Sequence, residues 1–153
     1  MKNQNIHDLR HYIQFIMRTF PTSSFRTPCG IKISTSFAHA LLAIYNLRSL
    51  SINQQLLARE LSLNKGTIAR LCSDLEGQGL IKVDILEDDR RNKSIQLTGK
   101  GLKLAEKVKK QSDLYFASVL KHIPKNEIDD VLKNLEILKK ALTLSSQHGD
   151  NDG

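Results

Sequence analysis

The sequence of 153 residues is poor in the residues that build covalent cross-links and metal centres. Its two cysteines, Cys29 and Cys72, are too few for a disulfide framework or a set of zinc ligands. No apolar run approaches the ~18 residues that a membrane-spanning helix needs. The N-terminal residues lead into an amphipathic helical pattern rather than the apolar core of a signal peptide. We therefore expect a cytoplasmic chain with no membrane partner.

The constellations that carry catalysis are also missing. The histidines are scattered, and there is no phosphate-binding loop, no nucleophile paired with a base and no metal-ligand set. His7 and His11 stand at helical spacing with Asp8 between them, which can suit a metal, but no third ligand is evident. The sequence predicts two solvated histidines and a protein that is not an enzyme, with no metal site and no cofactor.

Positive charge is what the sequence has in excess. Lysine and arginine together number 23 against 16 acidic residues, so the formal net charge is +7. An excess of this size favours an anionic partner, with nucleic acid as the first candidate, although a lysine-rich surface is the plain alternative. The length fits one ordinary domain with a core of its own.

Hydrophobic periodicity predicts helices on both sides of one short strand pair. The predicted elements begin with a helix from Ile6 that Pro21 ends or kinks, and with a loop or a broken helix end over 21–33. Three helices follow, beginning at Ser34 or Ser36, at Ser51 or Asn53, and at Asn64, and the last of them runs to Gly77 or Gly79. Strands over 80–86 and 94–97 and helices over 98–121 and 125–146 complete the order. The long helices at both ends carry more apolar surface than a small domain can cover. We expect them to pack against one another or against a second copy of the chain.

The expected fold is mainly α: an α+β winged helix-turn-helix core flanked by N-terminal and C-terminal dimerisation helices. The dimerisation helices occupy 1–33 and 102–146, and the DNA-binding domain occupies 34–101. A polar tail over 147–153 is expected to be disordered. A homodimer follows from this arrangement.

The helix beginning at Asn64 is the candidate for reading DNA. Its apolar positions recur at i, i+3, i+4 and i+7, which turns the opposite face to solvent. The candidate DNA-binding residues are those of its first turn and that face: Asn64, Lys65, Gly66, Thr67, Arg70 and Ser73. Free backbone N–H groups in the first turn favour phosphate, and a guanidinium one turn later can reach a guanine edge. Alone, this pattern also describes an ordinary capped surface helix.

A charged tip follows, directly ahead of the alternating residues 94–97. It consists of Asp89, Arg90, Arg91 and Lys93. Alone this is a basic hairpin. Coming after a helix-turn-helix-like segment at 53–79, it is the ribbon that a winged-helix DNA reader places on the backbone or in the minor groove.

Five motifs resemble the MarR family of winged helix-turn-helix transcription regulators, and the resemblance covers about 31–105. They are Leu57-Ala58-x-x-Leu61-x-Leu63, Thr67-Ile68-x-x-Leu71, Leu75-Glu76-x-x-Gly79-Leu80-Ile81, Asp89-x-Arg91 and Leu97-Thr98-x-x-Gly101. The resemblance implies a dimeric regulator on a pseudo-palindromic operator, with the fourth helix in the major groove. It also implies that Arg91 enters or nears the minor groove, that Asp89 restrains Arg91, and that Arg90 and Lys93 contact the backbone.

The function expected from this resemblance is sequence-specific regulation of transcription on double-stranded DNA, as a repressor. Two alternatives stay open: a non-specific architectural DNA-binding protein, and a winged-helix module that binds proteins. The segment from Pro21 to Pro28 departs from the family, in which the first helix continues there.

What releases DNA stays open in the sequence, with an unidentified small molecule as one possibility. Cys29 lies near Arg26 and Lys32, which can lower a thiol pKa, so it is a possible redox residue. Cys72 lies on the apolar stripe of the fourth helix and is expected to belong to the core.

Overall fold

The computed structural model describes residues 3–19, 33–85 and 93–149. Within these ranges the chain forms six α-helices, one 3-10 turn and two strands, as follows: α1 (Asn3–Thr19), α2 (Thr35–Leu47), α3 (Gln54–Leu61), α4 (Lys65–Gly77), β1 (Ile81–Ile85), β2 (Lys93–Leu97), α5 (Gly99–Leu120), the 3-10 turn (Lys125–Glu127) and α6 (Ile128–Gly149). The element order is the predicted one. Tertiary contacts divide the chain into two units, Met1–Ser112 and Asp113–Gly153. None of the helices in the described ranges combines the length and apolarity required to cross a membrane.

Polar caps fix where α2, α3 and α4 begin. Ser34 Oγ accepts a hydrogen bond from the Phe37 N–H at 3.2 Å. Asn53 Oδ1 accepts from the Leu56 N–H at 2.8 Å, and Asn64 Oδ1 accepts from the Thr67 N–H at 2.8 Å. Each cap satisfies a backbone donor that the helix itself cannot, a contribution of about 1 kcal/mol. Between the predicted alternatives, the structure selects Ser34 over Ser36 and Asn53 over Ser51.

The core of the first unit lies where α2, α3 and α4 pack against the strands and the first turns of α5. The buried cluster consists of Ala40, Leu41, Ala43, Ile44, Ile52, Leu57, Ile68, Leu71, Cys72, Leu75, Leu80, Ile81, Ile95 and Ala105. Full burial of each large aliphatic side chain contributes roughly 1.5–3 kcal/mol, so this cluster is what holds the three helices together. Each helix therefore has one face committed to the core.

The two strands form an antiparallel hairpin with Ile81 opposite Leu97 and Ile85 opposite Lys93. The other edge of β2 is also used, because the Ile95 N–H donates to the Ile52 carbonyl at 2.8 Å. That bond ties the segment before α3 to the hairpin. The strand prediction is confirmed to within one residue wherever the chain is described. Leu86, its predicted last residue in β1, lies outside the described ranges.

A left-handed glycine ends α4 and starts the hairpin. Gly79 has φ 67°, a conformation that L side chains rarely adopt. The Gly79 N–H donates to the Glu76 carbonyl at 2.8 Å, and the Leu80 N–H donates to the Leu75 carbonyl at 2.9 Å. These bonds satisfy carbonyls at the helix end and turn the chain straight into β1.

The first turn of α5 lies against the same glycine turn. Thr98 Oγ1 accepts from the Gly101 N–H at 3.0 Å, which caps α5, and donates to the Gly79 carbonyl at 2.6 Å. The Thr98 N–H donates to the Leu80 carbonyl at 3.1 Å. Gly101 is buried here, and a Cβ built on it would stand 1.8 Å from Leu80 O. Only glycine therefore permits this approach of two backbones.

The C-terminal helix differs from the prediction at both ends. A 3-10 turn, Lys125–Glu127, follows Pro124, so α6 begins at Ile128 rather than at 125. The helix continues to Gly149 rather than ending at 146, so residues 147–149 of the expected tail are helical. No proline or glycine interrupts 128–148, and the chain thus meets no helix breaker before that glycine. The predictions at Pro21, over 21–32 and at 150–153 fall outside the described residues.

The backbone contact at Gly101 leads to a stability prediction. We expect Gly101→Ala to lower the free energy of unfolding by about 3 kcal/mol and the Tm by about 10 °C, because the methyl group would overlap a backbone carbonyl that cannot rotate away. Differential scanning calorimetry measures both quantities. Gly99→Ala is the matched control, because a Cβ on Gly99 meets nothing within 4 Å. Equal Tm values for the two variants would contradict the account of this junction.

Candidate nucleic-acid interface

The helix α4 has two faces with opposite character. Ile68, Leu71, Cys72 and Leu75 are buried, which confirms the predicted apolar stripe. The predicted opposite face, Gly66, Arg70 and Ser73, is exposed along its whole length. Because the buried stripe anchors the helix, the exposed face has a fixed direction relative to the core. It is therefore a preformed surface.

The N-terminus of α4 is built to meet an anion. Asn64 caps it through the bond to the Thr67 N–H, and the N–H groups of the first turn have no carbonyl partner within the helix. Lys65 and Thr67 are exposed beside them. The partial positive charge of the helix end and the Lys65 ammonium act in the same direction. The structure thus brings the predicted first-turn residues together at one end of the surface.

Three acidic residues lie near the exposed face of α4, and two of them make contacts that hold their carboxylates. Glu76 Oε1 accepts a hydrogen bond from the Val83 N–H at 3.1 Å, which holds that carboxylate toward β1. Asp74 is exposed on the flank of α4. In β1, Asp84 pairs with Lys82 at 2.7 Å. Within α4 the exposed cations are Lys65 and Arg70, so the helix presents positive charge over its first half.

The predicted charged tip lies mostly outside the described residues. Asp89, Arg90 and Arg91 lie outside the described ranges. Of Lys93 only the backbone is described, as the first residue of β2. The register that pairs Ile85 with Lys93 sets residues 86–92 as the connection between the strands. Their roles on DNA remain predictions from the sequence.

The structure also adds a residue to the surface. The pattern of the sequence allows the fourth helix to end at Gly77 or at Gly79. The structure keeps Gly77 inside α4 and ends the helix through Gly79. Gly77 is exposed and stands eleven positions after Gly66, just over three full turns, so both glycines lie on one face. That spacing was the signal in the sequence that could have identified it.

Cys72 is a core residue of α4. Its side chain is 1% exposed. Burial is the larger cause and the nearby charge of Glu76 the smaller one, and together they raise the pKa of the thiol from 9.0 to about 11. The thiol is therefore neutral at physiological pH. Cys29, the possible redox residue, lies outside the described ranges.

The predicted pair of histidines is exposed on α1. The His7 and His11 rings are stacked with their centroids 6.5 Å apart, and His7 Nδ1 lies 3.3 Å from Asp8 Oδ1. Among the described residues, no group of three or more His, Cys, Asp or Glu side chains is placed to hold a metal.

An open cavity of about 460 Å³ lies in the first unit between the end of α2 and β2. Its lining mixes aliphatic side chains such as Ile44 with polar groups on Arg48, Ser51 and Gln96. The Arg48 guanidinium lies 4.0 Å from the centroid of the Tyr45 ring and donates to the Tyr45 carbonyl. The cavity thus combines an apolar wall with a cation.

Comparison with known proteins agrees with this architecture. The model of the MarR family matches residues 33–93, which confirms the resemblance in the motifs over α2, α3, α4 and β1. No curated protein matches the chain.

Solved structures resemble the chain over most of its length. A complex of S. aureus MepR with DNA has 22% sequence identity and a TM-score of 0.68, covering 91% of this chain and 93% of that chain. The transcriptional regulator SlyA has 18% identity and a TM-score of 0.67, covering 95% and 96%. At these identities the likeness concerns the fold, and it confirms the mainly α winged helix-turn-helix.

The buried thiol gives a prediction about reactivity. In Cys29→Ser, where Cys72 is the remaining cysteine, we expect Ellman's reagent at pH 8 to react about a hundredfold more slowly than with a free thiol. A pKa shift from 9.0 to about 11 lowers the thiolate fraction by about that factor. The same variant in guanidinium chloride is the control and should react at once. Fast labelling of the folded variant would contradict the burial of Cys72.

Proposed function

Since residues 33–93 are of the MarR family, we propose that this chain is a sequence-specific DNA-binding transcription regulator, a repressor that binds a pseudo-palindromic operator as a homodimer in the cytoplasm. The proposal makes it a regulator rather than an enzyme. The observation that carries it is the exposed face of α4, which is capped, cationic at its start and held on a helix-turn-helix directly ahead of a hairpin.

The reading helix supports direct contact with bases. An α-helix fits the major groove of B-DNA, and an arginine can donate two hydrogen bonds to the O6 and N7 atoms of guanine. Arg70 is exposed one turn into α4, where its guanidinium can reach a base edge. Asn64, Lys65, Gly66 and Thr67 would meet a phosphate at the helix end, and Ser73 would face the groove.

The connection between the strands is proposed as the second DNA contact. It joins Ile85 to Lys93, the pair of the strand register that is farthest along the chain from Gly79. Arg91 would enter or approach the minor groove with Asp89 restraining it, while Arg90 and Lys93 contact phosphates. MepR, a protein of the same fold, was solved in complex with DNA, which supports DNA as the partner of the present chain.

The homodimer is supported by apolar faces on the outer helices. The large hydrophobic side chains that are more than one-third exposed on α1, α5 and α6 are Ile6, Leu9, Tyr12, Phe15, Ile16, Met17, Leu102, Leu114, Phe116, Val119, Leu120, Leu132, Leu135, Ile137, Leu142 and Leu144. A monomeric soluble protein rarely exposes so much apolar surface on neighbouring turns, and a second copy would bury it. The expected dimerisation segments, 1–33 and 102–146, remain part of the proposal.

The last part of the proposal is that a small molecule controls DNA binding. The cavity beside Arg48 supports it, because an apolar wall next to a guanidinium suits a small organic anion. A repressor is the simplest action for a dimer on an operator, since a bound protein excludes polymerase from an overlapping promoter.

DNA binding is tested by a pair of arginine substitutions. On a duplex carrying the operator, Arg70→Ala should cost about 1–3 kcal/mol of binding free energy, and much less on random DNA, because it removes a base contact. Arg91→Ala should weaken binding to both and reduce the slope of log K against log salt by about one, because it removes one of the positive charges that displace counterions from DNA. Fluorescence anisotropy over a range of salt concentrations measures both effects.

Arg18→Ala on α1 is the control for the loss of one positive charge and should leave both affinities near those of the wild type. Equal losses on operator and random DNA for Arg70→Ala would favour the architectural alternative. No salt-dependent binding to any duplex would favour the protein-interaction alternative.

The dimer is tested by a charge placed on the apolar face of α6. Leu135 is 48% exposed on that helix, and we expect Leu135→Glu to shift the protein from dimer to monomer at micromolar concentration, because an ionised carboxylate would be buried in the interface. Sedimentation velocity distinguishes the two species. Arg59→Glu, at an exposed position of α3 outside the three helices with apolar faces, is the control for an added carboxylate and should remain dimeric. A wild-type protein that sediments only as a monomer would overturn the homodimer.

A further inference from the structure

Two glycines on the exposed face of α4 have no role that the fold explains. A Cβ on Gly77 would meet nothing within 4 Å, and a Cβ on Gly66 would meet only Asn64 Oδ1 at an ordinary 3.7 Å. Neither has a positive φ; among the described glycines that conformation belongs to Gly79. Neither packing nor backbone conformation therefore requires glycine at these two positions.

Glycine at both positions lowers the stability of the free helix. Glycine loses more backbone freedom on folding than alanine, so it is the weaker helix former wherever alanine fits. Gly101 shows the opposite case, since there a Cβ would strike Leu80 O at 1.8 Å. The reason for glycine at Gly66 and Gly77 is thus to be sought outside this chain, in whatever approaches the exposed face.

The two glycines lie at the two ends of one exposed stripe along α4. Gly66, Arg70, Ser73 and Gly77 stand at i, i+4, i+7 and i+11, so the two ends are eleven positions apart, about 16 Å along the axis and about 20° around it. All four are exposed, and both ends of the stripe lack a side chain. Arg70 is the one long side chain on this stripe of α4, whose residues are all described.

The charges at both ends of α4 fit a polyanion. Lys65 lies at the N-terminal end of the helix. At the C-terminal end, where helix carbonyls carry partial negative charge, Lys100 Nζ donates to the Gln78 carbonyl at 2.8 Å. Glu76 is held toward Val83 by its 3.1 Å bond. The C-terminal end of the helix is therefore screened by an ammonium.

We propose that Gly66 and Gly77 are clearance positions that let α4 lie along the floor of the DNA major groove over its whole length, so that Arg70 alone projects into the base edges. A helix with side chains is about 10–12 Å across, and the groove is about 12 Å wide, so a bare face lets the helix sit deeper by about the reach of a side chain. This inference rests on the proposed function and specifies how the same surface meets its partner.

The test measures thermal stability and DNA affinity in the same variants. We expect alanine at Gly66 or Gly77 to raise the stability and to lower the affinity. The probe is a 30-base-pair duplex that the wild-type protein selects from a random library. In Gly66→Ala and Gly77→Ala we expect Tm to rise by about 1–4 °C and the affinity for this duplex to fall roughly tenfold, the loss of one good contact. Gly77→Gln should lose more affinity than Gly77→Ala, because its side chain is longer.

Gly99→Ala is the matched control, since Gly99 is a helical glycine with open space around its Cβ position but lies on α5. It should gain stability without losing affinity. Unchanged affinity in Gly66→Ala, Gly77→Ala and Gly77→Gln beside normal wild-type binding would overturn this inference and leave the proposed function standing. A lower Tm in both alanine variants would also overturn it, because the glycines would then serve the fold. A wild-type protein that selects and binds no duplex would overturn the proposed function together with this inference.

Discussion

The contact between the first turn of α5 and the glycine turn after α4 is the constraint on which the surface depends. One hydroxyl, Thr98 Oγ1, caps α5 by accepting from Gly101 and holds the turn by donating to Gly79. The missing side chain of Gly101 lets the helix backbone reach the Leu80 carbonyl. The end of α4, the start of β1, the end of β2 and the start of α5 therefore meet within a few residues. Because helices and strands are stiff, fixing them at one point fixes the direction of α4 relative to the hairpin.

The character of the α4 surface follows from that placement combined with core burial. Ile68 and Leu75 are fully buried, so α4 cannot rotate about its axis without exposing them. The stripe from Gly66 to Gly77 must consequently face outward. Its charge depends on neighbours as much as on its own residues. The Val83 N–H draws Glu76 toward β1, and Lys100 occupies the carbonyl at Gln78. The exposed face of α4 therefore has few large side chains and a positive N-terminal end. Its orientation depends on the buried face, and its charge depends on the hydrogen bonds of Glu76 and Lys100.

Much of this could be predicted from local chemistry, and the remainder required tertiary geometry. The i, i+3, i+4, i+7 spacing of α4 and its cap at Asn64 depend on residues within two helix turns, so the sequence predicted this burial and this cap correctly. For α3 the sequence left Ser51 and Asn53 as alternative caps, and the structure selects Asn53. Ser34 and Ser36 could not be separated, because both offer a hydroxyl and only the chain path decides between them. Gly77 and Gly79 look alike in a sequence, whereas φ distinguishes a helical residue from a left-handed one. The motif marked Gly101, but the reason for it is a carbonyl twenty-one residues earlier. The C-terminal end of α6 was predicted too early because residues 147–149 are polar and look like a tail, although no helix breaker precedes Gly149 within α6 and the helix continues to it.

A reading face with one long side chain also limits how specificity can arise. A good bidentate arginine–guanine contact is worth about 1–3 kcal/mol, so two protomers would supply roughly 2–6 kcal/mol. Specific binding typically exceeds non-specific binding by about 4–10 kcal/mol. On the proposed function, Arg70 therefore supplies part of the discrimination, and shape must supply the rest. A helix seated deep in the groove and a basic hairpin at the minor groove both respond to groove width, which depends on sequence at positions that no side chain touches. The net charge of +7 strengthens binding to every sequence equally and cannot substitute for this term.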